Sequence, residues 1–187
     1  MAACCVIGAL ACRQEPQSRQ YEENGAAAVL APKPLPARPH AGSWRWQNPP
    51  QWRVEASAGL RLATFSIPGR EGSGQCSLIP LPGDGGGIQA NVQRWLEQLH
   101  LPPFSPPELA DFLGRQKKIQ TDEGLPVTVI DFTTLSPPQE PAGPSMLVAI
   151  IPGGDQTLFV KMSGGKALLK TSREIFYQFC RSLSRGT

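Results

Sequence analysis

An apolar stripe in residues 88–99 restricts the fold of this chain more than any other feature of its sequence. Apolar side chains recur there at intervals of three and four residues, at Ile88, Val92, Trp95, Leu96 and Leu99. This spacing places them along one face of an α-helix. A helix with one apolar face has to bury that face against another layer of secondary structure. The stripe therefore predicts an amphipathic helix on a sheet, with Trp95 in the core.

The segments on either side of this helix have the short apolar runs and two-residue alternation of β-strands. They predict strands at residues 60–67, 76–81, 118–121, 126–133, 146–151 and 157–162. Two further helices are predicted at residues 105–114 and 172–184. The resulting order, β-β-α-α-β-β-β-β-α, predicts an α+β fold in which a mainly antiparallel sheet is sandwiched by helices.

Each of the two later helices has the sequence pattern of a capping box. Ser105 precedes Glu108 by three residues, and Thr171 precedes Glu174 by the same interval. In a capping box the Ser or Thr and the Glu bind each other's free backbone N–H groups at the start of a helix. The pattern therefore predicts helix starts at Ser105 and Thr171.

Composition divides the chain into three parts. Residues 1–12 form a short, uncharged, apolar segment, and residues 13–42 are rich in Pro and Ala, which favours a disordered tether. Residues 43–187 are predicted to form one globular domain. Trp44, Trp46 and Trp52 lie at its edge, where three closely spaced aromatic residues favour a cap on the core over a ligand site.

The first segment resembles a bacterial lipobox, because small residues precede Cys12 in the stretch GALAC at 8–12. The cysteine of a lipobox is acylated and becomes the new N-terminus, so Cys12 is the predicted lipidation site. The apolar run is too short to cross a bilayer as a helix. It also lacks the Lys or Arg that normally precedes such a run. A start assigned too late, a cleaved signal without lipid and a cytosolic chain are therefore the alternatives.

Charge and motif content exclude several classes of site. The net charge of +3 is mild and is not concentrated in a basic stripe, so no nucleic-acid partner is predicted. Neither of the two histidines has a Ser or Cys partner that the sequence identifies as a nucleophile. No metal-ligand spacing or cofactor motif occurs. Asp131, inside an apolar strand, is the best candidate for a hydrolase carboxylate, although a hydrogen-bonded structural role is the simpler interpretation. Cys76 and Cys180 are expected as buried thiols, with a disulfide as the alternative.

The glycine-rich loop in front of the 88–99 helix raises the question of a phosphate site. The sequence LPGDGGGIQA at 81–90 lacks the Lys and Ser or Thr of a P-loop. The glycines are therefore expected to ease a sharp turn, with an anion at the helix N-terminus as the alternative. Arg94 carries a planar donor fork that suits carbonyls of the loop or a carboxylate of a partner. The candidate partner- or ligand-binding residues are Gly85, Gly86, Gly87, Asn91 and Arg94.

Several stretches together resemble a bacterial envelope lipoprotein family of planctomycetes and verrucomicrobia. They are Trp46 with Pro50-Gln51-Trp52, then LRLATFSI, CSLIPLPGDGGG, ANVQRWLEQL and TLFVKMSG, and they cover about residues 44–183. The resemblance implies a PsbP/Mog1-like α+β sandwich in the cell envelope. Because PsbP and Mog1 proteins act by binding other proteins, it also implies a non-enzymatic accessory or interaction domain with an envelope protein as partner. A small-molecule or anion-binding domain using the 83–95 loop and a hydrolase using Asp131 are the alternatives.

Overall fold

The computed structural model describes residues 44–70, 72–135 and 143–186. The predicted signal segment 1–12, the tether 13–42 and the lipidation site Cys12 lie outside these residues. The described part contains nine strands: β1 Trp44–Arg45, β2 Arg53–Glu55, β3 Ala63–Gly69, β4 Gly72–Pro82, β5 Lys117–Gln120, β6 Pro126–Asp131, β7 Pro144–Pro152, β8 Gln156–Gly165 and β9 Ser184–Arg185. It also contains three α-helices and a short 3-10 helix: α1 Ile88–Gln98, α2 Pro106–Gly114, α3 Lys166–Arg181 and, for the 3-10 helix, Phe132–Thr134.

Seven of these strands form one sheet in the order β2-β3-β4-β8-β7-β6-β5. Every neighbouring pair in it is antiparallel, while β1 and β9 pair separately. The predicted α+β fold with a mainly antiparallel sheet is therefore confirmed. The long strands β4 and β8 lie in the middle of the sheet and pair from Gln75↔Ser163 to Pro82↔Gln156.

One face of the sheet is covered by α3. The core there joins this helix to the five inner strands of the sheet, β3, β4, β8, β7 and β6, and to two of the tryptophans. Its largest buried members include Phe65, Leu78, Leu158, Met162, Leu169, Phe176 and Phe179. The Trp52 ring lies 5.1 Å from the Phe179 ring and 5.7 Å from that of Phe65. Trp44 and Trp52 are each only 5% exposed, and Trp46 packs against the same core. The expected aromatic cap is thus confirmed.

The opposite face carries α1 and α2. The Trp95 side chain is 7% exposed and meets the Phe132 and Phe159 rings edge-on, both at 6.1 Å between centroids. The predicted amphipathic helix and the buried position of Trp95 are confirmed. Because helices cover both faces near β7, that strand is a continuous apolar run rather than an alternating one.

Of the two capping boxes predicted, at Ser105 and Thr171, the structure contains the one at Ser105. At α2 the Glu108 carboxylate accepts a hydrogen bond from the Ser105 N–H at 2.8 Å, so the first predicted capping box is confirmed. The hydroxyl of Ser105, followed by its N–H, lowers the pKa of Glu108. At the C-terminal end of α1, His100 adopts a φ of 54°. The backbone N–H of His100 donates to the Glu97 carbonyl, and the backbone N–H of Leu101 donates to the Leu96 carbonyl. This is a Schellman motif with His in the position that usually holds Gly.

The predicted start of the last helix was wrong. This helix begins at Lys166, directly after β8, and Thr171 lies inside it. The Thr171 hydroxyl donates to the carbonyls of Ala167 and Leu168, one turn back along the helix, rather than capping it. The helix starts early because residues 166–169 are good helix formers and Leu169 continues the apolar stripe into the core. The first strand was also placed too early, since Leu60 is 71% exposed and pairing begins at Ala63.

Candidate functional site

The glycine-rich loop is a folded turn that uses its own N–H groups. Four of its glycines have positive φ values, from 57° to 88°. Their N–H groups all donate to nearby oxygens, at Asp155 for Gly83, Pro82 for Gly85, and the side-chain and backbone oxygens of Asp84 for Gly86 and Gly87. The loop N–H groups therefore do not converge on an open position. The alternative of an anion at this loop depends on the first N–H groups of α1 alone.

Gly85 also makes a close approach that a side chain would block. A Cβ atom built on it would lie 2.6 Å from Cζ of Phe159. Phe159 belongs to the core beneath α1 and contacts Trp95. The absence of a side chain at Gly85 thus lets the loop close over this core.

Asn91 joins the loop to the helix. Asn91 is only 5% exposed. Its Nδ2 donates hydrogen bonds to the carbonyls of Gly85 at 3.1 Å and Gly87 at 2.8 Å. Its Oδ1 accepts a hydrogen bond from Nη2 of Arg94 at 2.6 Å. Both the nitrogen and the oxygen of the Asn91 amide are therefore occupied by contacts within the protein. The structure therefore brings the predicted site residues together, with Asn91 as the residue that binds the loop.

The Arg94 guanidinium lies beside Gly86, but its hydrogen bond among the described residues is to Asn91. The side chain of Arg94 is exposed, and its guanidinium contacts the amide oxygen rather than a loop carbonyl. This position is compatible with either role expected for Arg94, bracing the loop or contacting a partner.

Asp131 is the last residue of β6 and caps the 3-10 helix. Its Oδ1 accepts hydrogen bonds from the N–H of Thr133 at 2.8 Å and from the Thr133 hydroxyl at 2.7 Å. Its Oδ2 pairs with Nη2 of Arg173 on α3, also at 2.8 Å. Both carboxylate oxygens thus serve contacts between elements of the fold, which agrees with the structural interpretation of this residue.

A polar surface that the sequence did not single out lies on the sheet beside α1. We call it the polar sheet face, and it comprises Thr64 and Ser66 on β3, Gln75 and Ser77 on β4, and Lys161 and Ser163 on β8. The strand register places these residues in two rows across the sheet, Ser66–Gln75–Ser163 and Thr64–Ser77–Lys161. They share a face with Ile79 and Phe159, two residues further along, which the helices cover. Among the described residues, helices cover the apolar part of this face. Thr64 and Ser77 are also buried, whereas Ser66, Gln75, Lys161 and Ser163 keep contact with solvent.

Five of the six residues of the polar sheet face, all but Ser77, line an open groove of about 750 Å³. The end of α1 supplies one wall, through Gln98 and Leu99, and residues around β2 supply another, through Glu55 and Arg61. A volume of this size is typical of small-ligand sites. A second cleft, of about 360 Å³, lies beside Asp131 and Tyr177.

Lys161 lies where the covered and open parts of the face meet. It pairs with Val148 of β7 on one side and Ser77 on the other, and its Nζ donates to Oε1 of Gln98 at 2.6 Å. Partial burial lowers the pKa of Lys161, and the positive charge of Arg61 lowers it further. Within residues 44–70, 72–135 and 143–186, no carboxylate forms an ion pair with this ammonium group.

The sequence did contain a signal for this surface. In each of β3, β4 and β8, polar residues stand two positions apart, as Thr64 and Ser66, Gln75 and Ser77, and Lys161 and Ser163 do. Such spacing indicates one polar face. The sequence does not show that these three pairs of residues lie side by side. The strands β4 and β8 are more than seventy residues apart in the chain, and the strand order of the sheet makes them neighbours.

The remaining candidate groups are structural. Cys76 on β4 and Cys180 on α3 are buried free thiols, as expected, so the alternative of a disulfide is not found. Burial raises the pKa of both thiols. Among the residues with described positions, no cluster of His, Cys, Asp or Glu could hold a metal ion. No helix in this part of the chain is long and apolar enough to cross a membrane.

Comparisons with known proteins add little to this geometry. No protein-family model matches the chain, and no curated protein matches it either. One of the solved structures that match is described as LpqN, involved in cell envelope biogenesis of Mycobacterium tuberculosis. It is 11% identical, with a TM-score of 0.46 over 80% of this chain and 87% of that one. A likeness at this level carries no argument about function. The resemblance to PsbP and Mog1 proteins stays a prediction.

Proposed function

We propose that this chain is a non-enzymatic, membrane-tethered, extracytoplasmic accessory domain that acts by binding through the polar sheet face. One observation carries the proposal: among the described residues, the helices cover the apolar part of the sheet and leave a polar groove of about 750 Å³ beside it. Hydroxyl, amide and ammonium groups that stand together in a concave site can bind a polar occupant. We expect the occupant to come from the cell envelope.

The stretch GALAC at 8–12 supports the tether. Acylation of Cys12 would fix the chain to a membrane, and residues 13–42 would join that anchor to the domain. Fully extended, a segment of this length spans roughly 100 Å. Such a reach would let the domain meet partners well away from its anchor.

The first experiment compares the full chain with Cys12→Ala and, as a matched control, Cys5→Ala in the same apolar segment. We expect wild type and Cys5→Ala to fractionate with membranes and to carry an acylated N-terminal residue by mass spectrometry. Cys12→Ala should lose the acyl mass and much of the membrane fraction. An unprocessed wild-type chain in the cytosol would contradict the tether.

The second experiment places a photo-crosslinking residue at Gln75, in the groove, or at Lys118, on the far edge strand. Both side chains are exposed, so each can reach a partner. We expect a discrete envelope partner to be captured from position 75 in living cells and not from position 118. Equal labelling from both positions would contradict a binding role for the polar sheet face.

Neither alternative has comparable support. A ligand site in the 83–95 loop would have to work without the four glycine N–H groups, which donate within the protein. A hydrolase using Asp131 would have to release it from Arg173 and Thr133. The groove therefore remains the surface that best fits a binding role.

A further inference from the structure

We propose that the polar sheet face binds an oxyanion group, a carboxylate or a phosphate, of a small ligand between Lys161 and Arg61. The inference rests on the binding role proposed for this face. It adds the chemical class that the groove recognises and the two residues that recognise it.

The first support is the position of Lys161. Its ammonium group is partly withdrawn from water, and its hydrogen-bond partner is the neutral amide oxygen of Gln98. Withdrawing a charge from water is costly unless an opposite charge compensates. No carboxylate does so in the described part of the chain. An incoming oxyanion would supply the missing negative charge.

The second support is the neighbouring cation. Arg61 lines the same groove, and its charge is close enough to disfavour protonated Lys161. Among the described residues, its guanidinium donates one long hydrogen bond, to Oε1 of Gln75 at 3.5 Å. Two cations that repel each other across a cavity are each stabilised by an anion placed between them. The guanidinium fork also matches the two oxygens of a carboxylate or phosphate.

The groove lining restricts the rest of the ligand. Ser66, Ser73 and Ser163 offer hydroxyl groups that can donate to further oxygens of the ligand. Glu55 lies at the β2 side and repels a second negative charge there. The lining residues that are described include no aromatic ring, so recognition by stacking on a base or sugar is not available. The site therefore fits a small, polar, oxyanion-bearing molecule.

The test uses the purified full chain and two probes, inorganic phosphate and succinate, with sodium chloride at matched ionic strength. Uncharged succinamide serves as the control ligand. Calorimetric titration and thermal unfolding are recorded for wild type, Lys161→Gln, Arg61→Gln and the control Lys118→Gln. Lys118 is an exposed cation on the far edge strand β5.

We expect at least one probe to bind wild type and to raise its melting temperature, and the probe that binds tells carboxylate from phosphate. Lys161→Gln and Arg61→Gln should each weaken this binding about tenfold, the loss expected for one charged hydrogen bond. Lys118→Gln should bind as wild type does. Without probe, Lys161→Gln should melt no lower than wild type, because it removes an uncompensated charge.

Several results would overturn the inference. They are failure of both probes to bind wild type, unchanged binding in Lys161→Gln and Arg61→Gln, and an equal loss in Lys118→Gln. Because these measurements need neither membrane nor partner, they stand apart from the crosslinking test. Oxyanion binding without a captured partner would uphold the inference and count against an envelope macromolecule as the occupant of this face. A captured partner without oxyanion binding would support the proposed function and overturn the inference.

Discussion

Replacing Asn91 by Ala should destabilise the protein more than any other polar-to-Ala change in the loop region. The Asn91 side chain donates two hydrogen bonds to loop carbonyls, at 2.8 and 3.1 Å, from a residue that is 5% exposed. Each buried hydrogen bond contributes about 0.5–1.5 kcal/mol, so losing both should cost about 1–3 kcal/mol. The Gly87 carbonyl keeps a second donor, the N–H of residue 91, whereas the Gly85 carbonyl loses the amide that bound it.

The matched variant is Arg94→Ala. Arg94 is exposed and makes one hydrogen bond to the Asn91 amide, so its removal should cost less than about 1 kcal/mol. Because Arg94 acts on the loop through Asn91, the double variant should cost no more than Asn91→Ala alone, to within about 0.5 kcal/mol. A cost for Arg94→Ala equal to or above that of Asn91→Ala would show that Arg94 itself braces the loop.

Urea unfolding followed by tryptophan fluorescence measures these changes, since Trp95 lies on the same helix. A loss of 1–3 kcal/mol corresponds to a fall in melting temperature of roughly 2–12 °C for a domain of this size. An Asn91→Ala variant within about 0.5 kcal/mol of wild type would refute the reasoning, because it would mean that water replaces the amide without cost.

Three further predictions concern other positions. Gly85→Ala should destabilise by more than about 2 kcal/mol, because its φ is 66° and the new Cβ would meet Phe159; equal urea midpoints for variant and wild type would contradict this. His100→Gly should stabilise by about 0.5–1 kcal/mol by relieving a left-handed φ of 54°, as a higher melting temperature would show and an unchanged one would deny. The lowered pKa of Lys161 means that the folded chain binds fewer protons than the unfolded chain between that pKa and 10.5. The free energy of unfolding should therefore rise with pH in this window for wild type relative to Lys161→Gln, a trend that urea titrations at several pH values would reveal or exclude.

The sequence predicted those parts of the structure that depend on local pattern. The stripe through Trp95 gave the position and buried face of α1, and Ser105 with Glu108 gave the start of α2. Thr171 with Glu174 has the same local pattern and failed, because the apolar contacts of Leu169 extend the helix past it. A local capping preference is worth about 1 kcal/mol and cannot compete with burial of a Leu side chain.

The candidate site depends on contacts that no local pattern encodes. Asn91 was predicted as a site residue because it follows the glycine loop, but its role as the binding partner of the loop carbonyls depends on the positive φ values there. The polar sheet face depends on even longer-range order. Thr64 and Lys161 lie in one row only because β4 stands between β3 and β8 in the sheet. That neighbour relation is set by the packing of the whole fold.

The central claim is that an extracytoplasmic domain binds through its polar sheet face, and thiol labelling tests it most directly. A cysteine is introduced by Gln75→Cys or, as control, Lys118→Cys, and the rate of reaction with a membrane-impermeant maleimide is measured in intact cells and on the purified chain. Of the five native cysteines, Cys76 and Cys180 are buried and should react slowly, and the predicted processing removes Cys4 and Cys5 and acylates Cys12. We expect both introduced thiols to react without permeabilisation, with the one at position 75 slower in cells than on the purified chain and the one at position 118 equally fast. No reaction in intact cells, or an equal rate at position 75 in both settings, would contradict the claim.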